Sequence, residues 1–139
     1  MLESPLMFEV KLRTRWSDSD AAGIVYFANH FTFVEQAEEE LFRSHGVNRH
    51  ELLQKYKVWM PRVEAFSKYV RPIKIGVPIR VRLNPQFKGL KTIRYDFEIL
   101  DDLKSEKLAE GYVTVVCVDA ARFKATPIPD AIRSAIDAK

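Results

Sequence analysis

The sequence has one cysteine, no long apolar run and no block of like charge, and each lack closes off a class of protein. Cys117 has no partner for an intrachain disulfide, which suits a reducing compartment and rules out a disulfide-stapled scaffold. Nowhere do about 20 consecutive apolar residues occur, the length needed to cross a bilayer. Met1 to Glu9 also lacks the basic start and apolar stretch of an export signal. We therefore expect a cytoplasmic protein with no membrane insertion. Lys and Arg number 22 against 19 Asp and Glu, a net +3. The excess falls on alternating strand positions, where a solvated sheet face is the plain reading and a polyanionic ligand the sharper one. Without a basic block or a recognised binding motif, nucleic acid is not expected as a partner. No His/Cys/Asp grouping has zinc spacing, no glycine-rich phosphate loop is present and there is no G-x-S-x-G elbow, so neither metal nor cofactor is expected.

What is present reads as one domain spanning residues 1–139. The chain is 47% hydrophobic, enough for a core of its own, and its five Gly and seven Pro are scattered rather than gathered into a linker. Phe8, Val10, Leu12, Thr14 and Trp16 alternate with Glu9, Lys11, Arg13 and Arg15, the period of a half-buried strand. From Asn29 to His45 the period changes. Phe31, Val34, Leu41 and Phe42 share one face of a helix, Glu35, Glu39 and Arg43 take the other, and Ala37 permits close approach to a sheet. Asn29 is a competent N-cap, Gly46 suits the position past the C-terminus, and His45 sits in the last turn, where the helix dipole favours a cation. A short helical or irregular piece over 49–57 follows. Alternation then returns in Trp59–Val70, Ile79–Leu83, Ile93–Ile99 and Leu108–Asp119, with turn signals at Gly89 and Asp101-Asp102. One helix must cover one face of about five long antiparallel strands, an α+β layer architecture. Cys117 lies inside an apolar run and reads as a buried small hydrophobe rather than a reactive thiol.

The segment before the helix carries chemistry-bearing residues. Ser17 to Gly23 is a cluster of turn formers with two carboxylates, Asp18 and Asp20, and a glycine able to take positive φ. The first turn of the following helix leaves N–H groups unpaired, and its dipole favours negative charge there. A carbonyl placed at that point would be polarised, and the oxyanion of acyl transfer would be stabilised. A nearby carboxylate could attack the acyl carbon or activate a water. On these grounds alone, Asp and Gly ahead of a helix are also ordinary loop and cap residues.

The run Asp18-Ser19-Asp20-Ala21-Ala22-Gly23-Ile24-Val25-Tyr26-Phe27-Ala28-Asn29-His30 resembles the signature of hotdog-fold thioesterases related to 4-hydroxybenzoyl-CoA thioesterase and the short acyl-CoA thioesterases. Its features are an aspartate three residues before a glycine, two aliphatics and an aromatic, then an asparagine near the helix start. Tyr69 to Pro72, in a Y-x-x-P pattern, and a late strand ending Val-Cys-Val-Asp extend the resemblance over roughly residues 8–129. It implies a hotdog fold, a five-stranded antiparallel sheet wrapped around one long helix, and hydrolysis of acyl-CoA thioesters. Asp20 matches the catalytic carboxylate, as nucleophile or general base. Phe27 matches the residue whose backbone N–H polarises the thioester carbonyl, and Gly23 the turn glycine. Tyr26 and Asn29 match residues that line or shape the pocket, whereas Asp18 reads as a loop-structuring residue.

His30 is adjacent in sequence and is a candidate for contacting substrate; a protonated imidazole is disfavoured at a helix N-terminus, so it is expected to be neutral and peripheral to the chemistry. Glu64 is a further candidate for orienting water, and Lys88 and Lys91 for meeting the phosphates of coenzyme A. Other branches of the superfamily place a glutamate on the helix, where Glu38 falls nearest the apolar face. The resemblance also implies a homodimer or homotetramer. A non-catalytic acyl-CoA or acyl-carrier binding module, a thioesterase acting on a polyketide or acyl-carrier chain, and a hydroxyacyl-thioester dehydratase are the alternatives. The dehydratase would need a His/acid pair in place of the Asp-x-x-Gly register.

Overall fold

A computed structural model describes residues 7–138. The main sheet has five strands: β1 (Phe8–Arg13), β3 (Arg62–Tyr69), β4 (Pro78–Phe87), β5 (Thr92–Asp101) and β6 (Lys107–Val116). Their order is β1-β4-β5-β6-β3 and every neighbouring pair is antiparallel. A two-stranded ribbon joins β2 (Val58–Trp59) to β7 (Val118–Asp119). Helix α1 (Asn29–Arg43) packs on β1 and β4, and α2 (Arg49–Gln54) and α3 (Asp130–Ala138) pack against its flanks and the ribbon. This is the α+β hotdog arrangement expected.

Periodicity explains why the layers close. Ile79, Val81 and Leu83 of β4 and Ile93, Ile99 and Phe97 of β5 point inward and are buried, meeting Phe33, Val34, Ala37, Leu41 and Phe42 of α1. Ala37 is fully buried, so the helix backbone lies close to the sheet as its small side chain permits. Gly46, at φ +79°, ends the helix. The Gly46 N–H donates to the Arg43 carbonyl and the Val47 N–H to that of Phe42, the paired bonds of a Schellman motif. Cys117 is fully buried, where desolvation pushes its thiol up to about 11, as suits a packing residue.

The structure departs from the sequence expectations in four places. Strand β1 stops at Arg13, and Trp16, expected on the buried side, is 85% exposed on a short 3-10 turn. Thr14 is the reason. Its hydroxyl donates to the Lys74 carbonyl at 2.7 Å and accepts the Val77 N–H at 3.0 Å, turning the backbone out of the strand. The run from 59 to 70 is two strands in two sheets, because Pro61 has no N–H to continue a ladder. The run from 108 to 119 breaks at Cys117, whose carbonyl accepts the Thr126 N–H, and Val118–Asp119 then pair with β2. Helix α3 was not anticipated; it buries Ile132, Ala135 and Ile136. In addition, α1 begins with Asn29 itself, and Ala28 holds the N-cap position with no side-chain cap.

The outer sheet face answers the question of its basic strands. Arg80 pairs with Glu9 and Asp102, Arg82 with Glu9 and Glu98, and Lys107 with Glu98 and Glu110. These cations are committed to neighbouring carboxylates on a solvated face, and the polyanionic reading does not apply to them.

One residue tests how tightly the last strand is held. A Cβ on Gly111 of β6 would lie 1.9 Å from the Phe66 carbonyl oxygen of β3. Gly111→Ala is therefore expected to lower stability by about 2 kcal/mol or more, an overpacking cost, as read by the denaturant midpoint. An unchanged midpoint would show that β3 does not approach β6 this closely.

Candidate active site

The loop before α1 is held by backbone hydrogen bonds before any side chain is considered. The Asp20 N–H donates to the Ile24 carbonyl and the Gly23 N–H to the Asp20 carbonyl, closing a tight turn that Gly23 completes at φ +81°. A side chain at residue 23 would be strained by that φ alone. The Val25 N–H donates to the Ile73 carbonyl, which fastens the loop to the segment ahead of β4. Asp18 is structural, as expected. Its carboxylate accepts the Arg15 N–H at 2.7 Å, while its carbonyl accepts both the Tyr26 N–H at 2.8 Å and the Asn29 side-chain amide at 2.9 Å. Asn29 thus ties the helix start to the loop.

Asp20 is half-buried, and one carboxylate oxygen, Oδ1, accepts the Ala22 N–H at 2.8 Å. The turn fixes the side chain through this oxygen. At the helix start the Asn29 N–H donates to the Tyr26 carbonyl and the His30 N–H to that of Phe27. Among the described residues, the N–H groups of Phe27 and Ala28 donate to no acceptor. These are the unpaired amides that a helix N-terminus leaves for an anion.

A cavity of about 230 Å³ lies beside them, walled by Ile24, Val25, Phe27, His30, Tyr69 and Ile73 among others. Tyr69, at the end of β3, closes it. Its hydroxyl donates to the Phe27 carbonyl at 3.1 Å, and its ring stands edge-on to His30 at 4.7 Å and to Phe27 at 6.2 Å. Tyr26 leans on Phe27 with ring centroids 4.8 Å apart. His30 is only 3% exposed, and burial lowers its imidazole from 6.5 to about 4. It forms part of the cavity wall, where the sequence made it a candidate for substrate contact.

Other sequence candidates stand elsewhere in the chain. On β3, Ala65 and Tyr69 face α1, so strand alternation turns Glu64 to the outer face, where it stands beside the Tyr112 hydroxyl. Lys88 and Lys91 flank Gly89 in the exposed turn after β4. The Asp20 loop is fastened near the other end of that strand, so roughly 30 Å separates them within one chain. Glu38 is buried midway along α1 and bonds to Arg62, with Arg49 3.8 Å away. It lies roughly 14 Å along the helix axis from Asn29, beyond reach of the free amides. Burial, and the Glu38 carboxylate beside it, push the Tyr95 phenol well above its ordinary range. A larger concavity of about 570 Å³ lies on the outer face near Phe66, Arg94 and Tyr112. Arg94 there is stacked on Tyr112 and paired with Asp96.

Residues 14–136 match the model of the thioesterase-like superfamily. The chain belongs to that superfamily. It is 28% identical over 127 residues to a 1,4-dihydroxy-2-naphthoyl-CoA hydrolase of Nostoc punctiforme, covering 91% of this chain and 84% of that one. With the acyl-CoA thioester hydrolase YbgC of Escherichia coli O157:H7 it shares 25% identity over 126 residues, covering 91% and 92% respectively. A solved 1,4-dihydroxy-2-naphthoyl-CoA thioesterase from Synechocystis superposes with a TM-score of 0.89 at 23% identity, over 94% of this chain and 96% of that one. A gentisyl-coenzyme A thioesterase gives 0.79 at 24%, over 92% and 98%. These superpositions show that the fold is that of solved thioesterase-like proteins along nearly the whole chain.

His30 leaves a measurable mark on stability. Its folded-state value lies below the unfolded one, so the unfolded chain takes up the proton first as pH falls through 6.5 toward 4. Wild type should lose on the order of 2 kcal/mol more than His30→Leu over that interval, and nothing from this group above pH 7. Parallel pH–stability curves for the two proteins would contradict a buried neutral imidazole.

Proposed function

We propose that this thioesterase-like protein hydrolyses acyl-CoA thioesters, with Asp20 as the reacting carboxylate and the Phe27 N–H as the oxyanion donor. The observation that carries the reading is the pair of acceptor-less amides, Phe27 and Ala28, at the head of α1 beside an apolar cavity. A thioester carbonyl there accepts from the Phe27 N–H, and charge developing on its oxygen is met by a fixed donor and the helix dipole. Asp20 either attacks the acyl carbon or takes a proton from the water that attacks it. Each route sets a tetrahedral oxyanion against the Phe27 N–H and breaks the C–S bond to release the coenzyme A thiolate, which takes up a proton. Water attack gives the free acid directly, whereas attack by Asp20 leaves an acyl–aspartate anhydride that water then cleaves to the acid and free Asp20. Gly23 sets the turn that presents Asp20, and Tyr69 steadies the Phe27 peptide through its carbonyl.

The same proposal includes a partner copy of the chain in the cytoplasm. β3 is an edge of the main sheet, exposed along nearly its whole length, with Val63, Phe66 and Tyr69 at 59%, 49% and 45% exposure. A long exposed edge strand with these apolar side chains calls for a second strand. Antiparallel pairing of two β3 strands extends the sheet and sets the Lys88–Lys91 end of one chain toward the Asp20 end of the other. That arrangement gives the lysines and Glu64 a route to a site that their own chain denies them, in a homodimer or in a homotetramer of two such pairs.

Two measurements test the reading. With a panel of acyl-CoAs followed by free-thiol release, Asp20→Asn should lower kcat by about a hundredfold or more while acyl-CoA binding persists. Wild-type turnover in that variant would overturn the role of Asp20, and binding without hydrolysis in both proteins would favour an acyl-CoA binding module. Light scattering should give a solution mass that is a multiple of the 16.1 kDa chain. Phe66→Lys together with Val63→Lys should shift that mass toward one chain, and a wild-type monomer would remove the dimer from the proposal.

A further inference from the structure

One peptide at the start of α1 is loaded unequally on its two edges. The unit joining Phe27 to Ala28 is planar, with the Phe27 carbonyl and the Ala28 N–H pointing opposite ways. Its carbonyl accepts the Tyr69 hydroxyl at 3.1 Å and, more loosely, the His30 N–H at 3.4 Å. Its N–H donates to no acceptor among the described residues. The preceding unit is turned the same way, because the Tyr26 carbonyl accepts the Asn29 N–H at 2.9 Å. Both carbonyls thus point along α1, and the N–H groups of Phe27 and Ala28 lie side by side, directed away from it. A ligand is called for here on a separate ground. His30, only 3% exposed, lines the cavity that Phe27 and Tyr69 also wall, and its Nδ1 has no hydrogen-bond partner among the described residues.

Resting on the thioesterase reading, we infer that the Ala28 N–H is a second oxyanion donor beside that of Phe27, and that Tyr69 is a positioning residue that aims and strengthens it through the Phe27 carbonyl. Hydrogen bonds to a carbonyl draw electron density onto its oxygen and leave the N–H of the same peptide a stronger donor, by about 10–30% per bond. Of the two free amides, only that of Ala28 has a side chain on the carbonyl of its peptide. Among the described residues, the Tyr26 carbonyl behind the Phe27 N–H is held by backbone alone. Tyr69 is also built to hold a direction. It reaches from the end of β3 over the groove to the helix start, and its ring stands edge-on to both His30 and Phe27, which keeps the phenol on that one oxygen. A tyrosine that only fastened β3 to α1 would gain nothing from choosing the carbonyl whose own amide is free. Two parallel donors meet an oxyanion better than one, because the charge that forms on the oxygen in acyl transfer accepts more than a single hydrogen bond.

The test joins backbone-amide NMR to kinetics. In the free protein, Tyr69→Phe should move the Ala28 ¹⁵N resonance upfield by much more than that of Phe27, since only one of the two carbonyls loses a donor. With Asp20→Asn saturated by benzoyl-CoA or butyryl-CoA, the amide protons of Phe27 and Ala28 should both move downfield as they engage the thioester oxygen. Against the acyl-CoA that wild type turns over fastest, Tyr69→Phe should lower kcat about fivefold and leave KM within about twofold, because the donor tightens on the oxyanion more than on the ground state. An Ala28 proton that stays while that of Phe27 moves overturns the inference and spares the thioesterase reading. So does an unmoved Ala28 ¹⁵N resonance in Tyr69→Phe, or a loss that is absent or falls wholly in KM. Shifts at both amides in a protein that hydrolyses no acyl-CoA keep the paired donors and sink the thioesterase reading. Neither amide moving with either ester overturns both.

Discussion

The carbonyl oxygen of Asp18 joins the two halves of the candidate site. It accepts the Tyr26 N–H and the Asn29 side chain together, so the turn carrying Asp20 and the first turn of α1 move as one piece. Everything proposed for the site depends on that junction, because a carboxylate and an oxyanion donor act together only at a fixed separation. Around it the fold supplies rigidity. Thr14 anchors the segment at 74–77 to the end of β1, the Val25 amide anchors the loop to Ile73, and α1 is held by a face in which Ala37, Leu41 and Phe42 are wholly buried. The amides of Phe27 and Ala28 stand ahead of the first helical residue, Asn29, and donate to no acceptor among the described residues.

A second polar junction works on stability and not on chemistry. Glu38, Arg62 and Arg49 link the middle of α1 to the beginning of β3 and to α2. β3 shows little buried surface of its own, so this pairing and the close approach of Gly111 to Phe66 locate an otherwise exposed edge. The same strand brings Tyr69 to the Phe27 carbonyl at its far end. One edge strand thus connects the structural ion pair, the groove and the oxyanion peptide, and the proposed partner would bind along it.

Much of this was legible in the sequence because the signals are periodic or local. The helix over Asn29 to Arg43 and the long strands follow from apolar spacing, and the turn at Gly23 follows from its composition. Trp16 was misplaced because alternation continues in the sequence after the backbone has left the strand at Thr14, through a hydroxyl bonded 60 residues away. Helix α3 was missed because its nine residues follow two prolines and carry only a narrow apolar stripe. The positions of Glu64 and of Lys88 and Lys91 depend on strand order and face, which no local pattern encodes. Glu38 lies on the apolar side of the helix, as its spacing predicts, yet its commitment to Arg62 is a contact across 24 residues. The burial of His30 emerges only when Tyr69 of β3 closes over the helix start.

The central claim is that the Phe27 amide polarises a thioester carbonyl held against Asp20. Infrared difference spectroscopy of Asp20→Asn with bound aryl-CoA, its thioester carbonyl labelled with ¹³C, reads that polarisation directly. The account predicts a carbonyl band moved to lower frequency than in free ester in water, since a dry, fixed donor polarises the bond more than solvent does. A band at the solution frequency, or above it, would contradict the account.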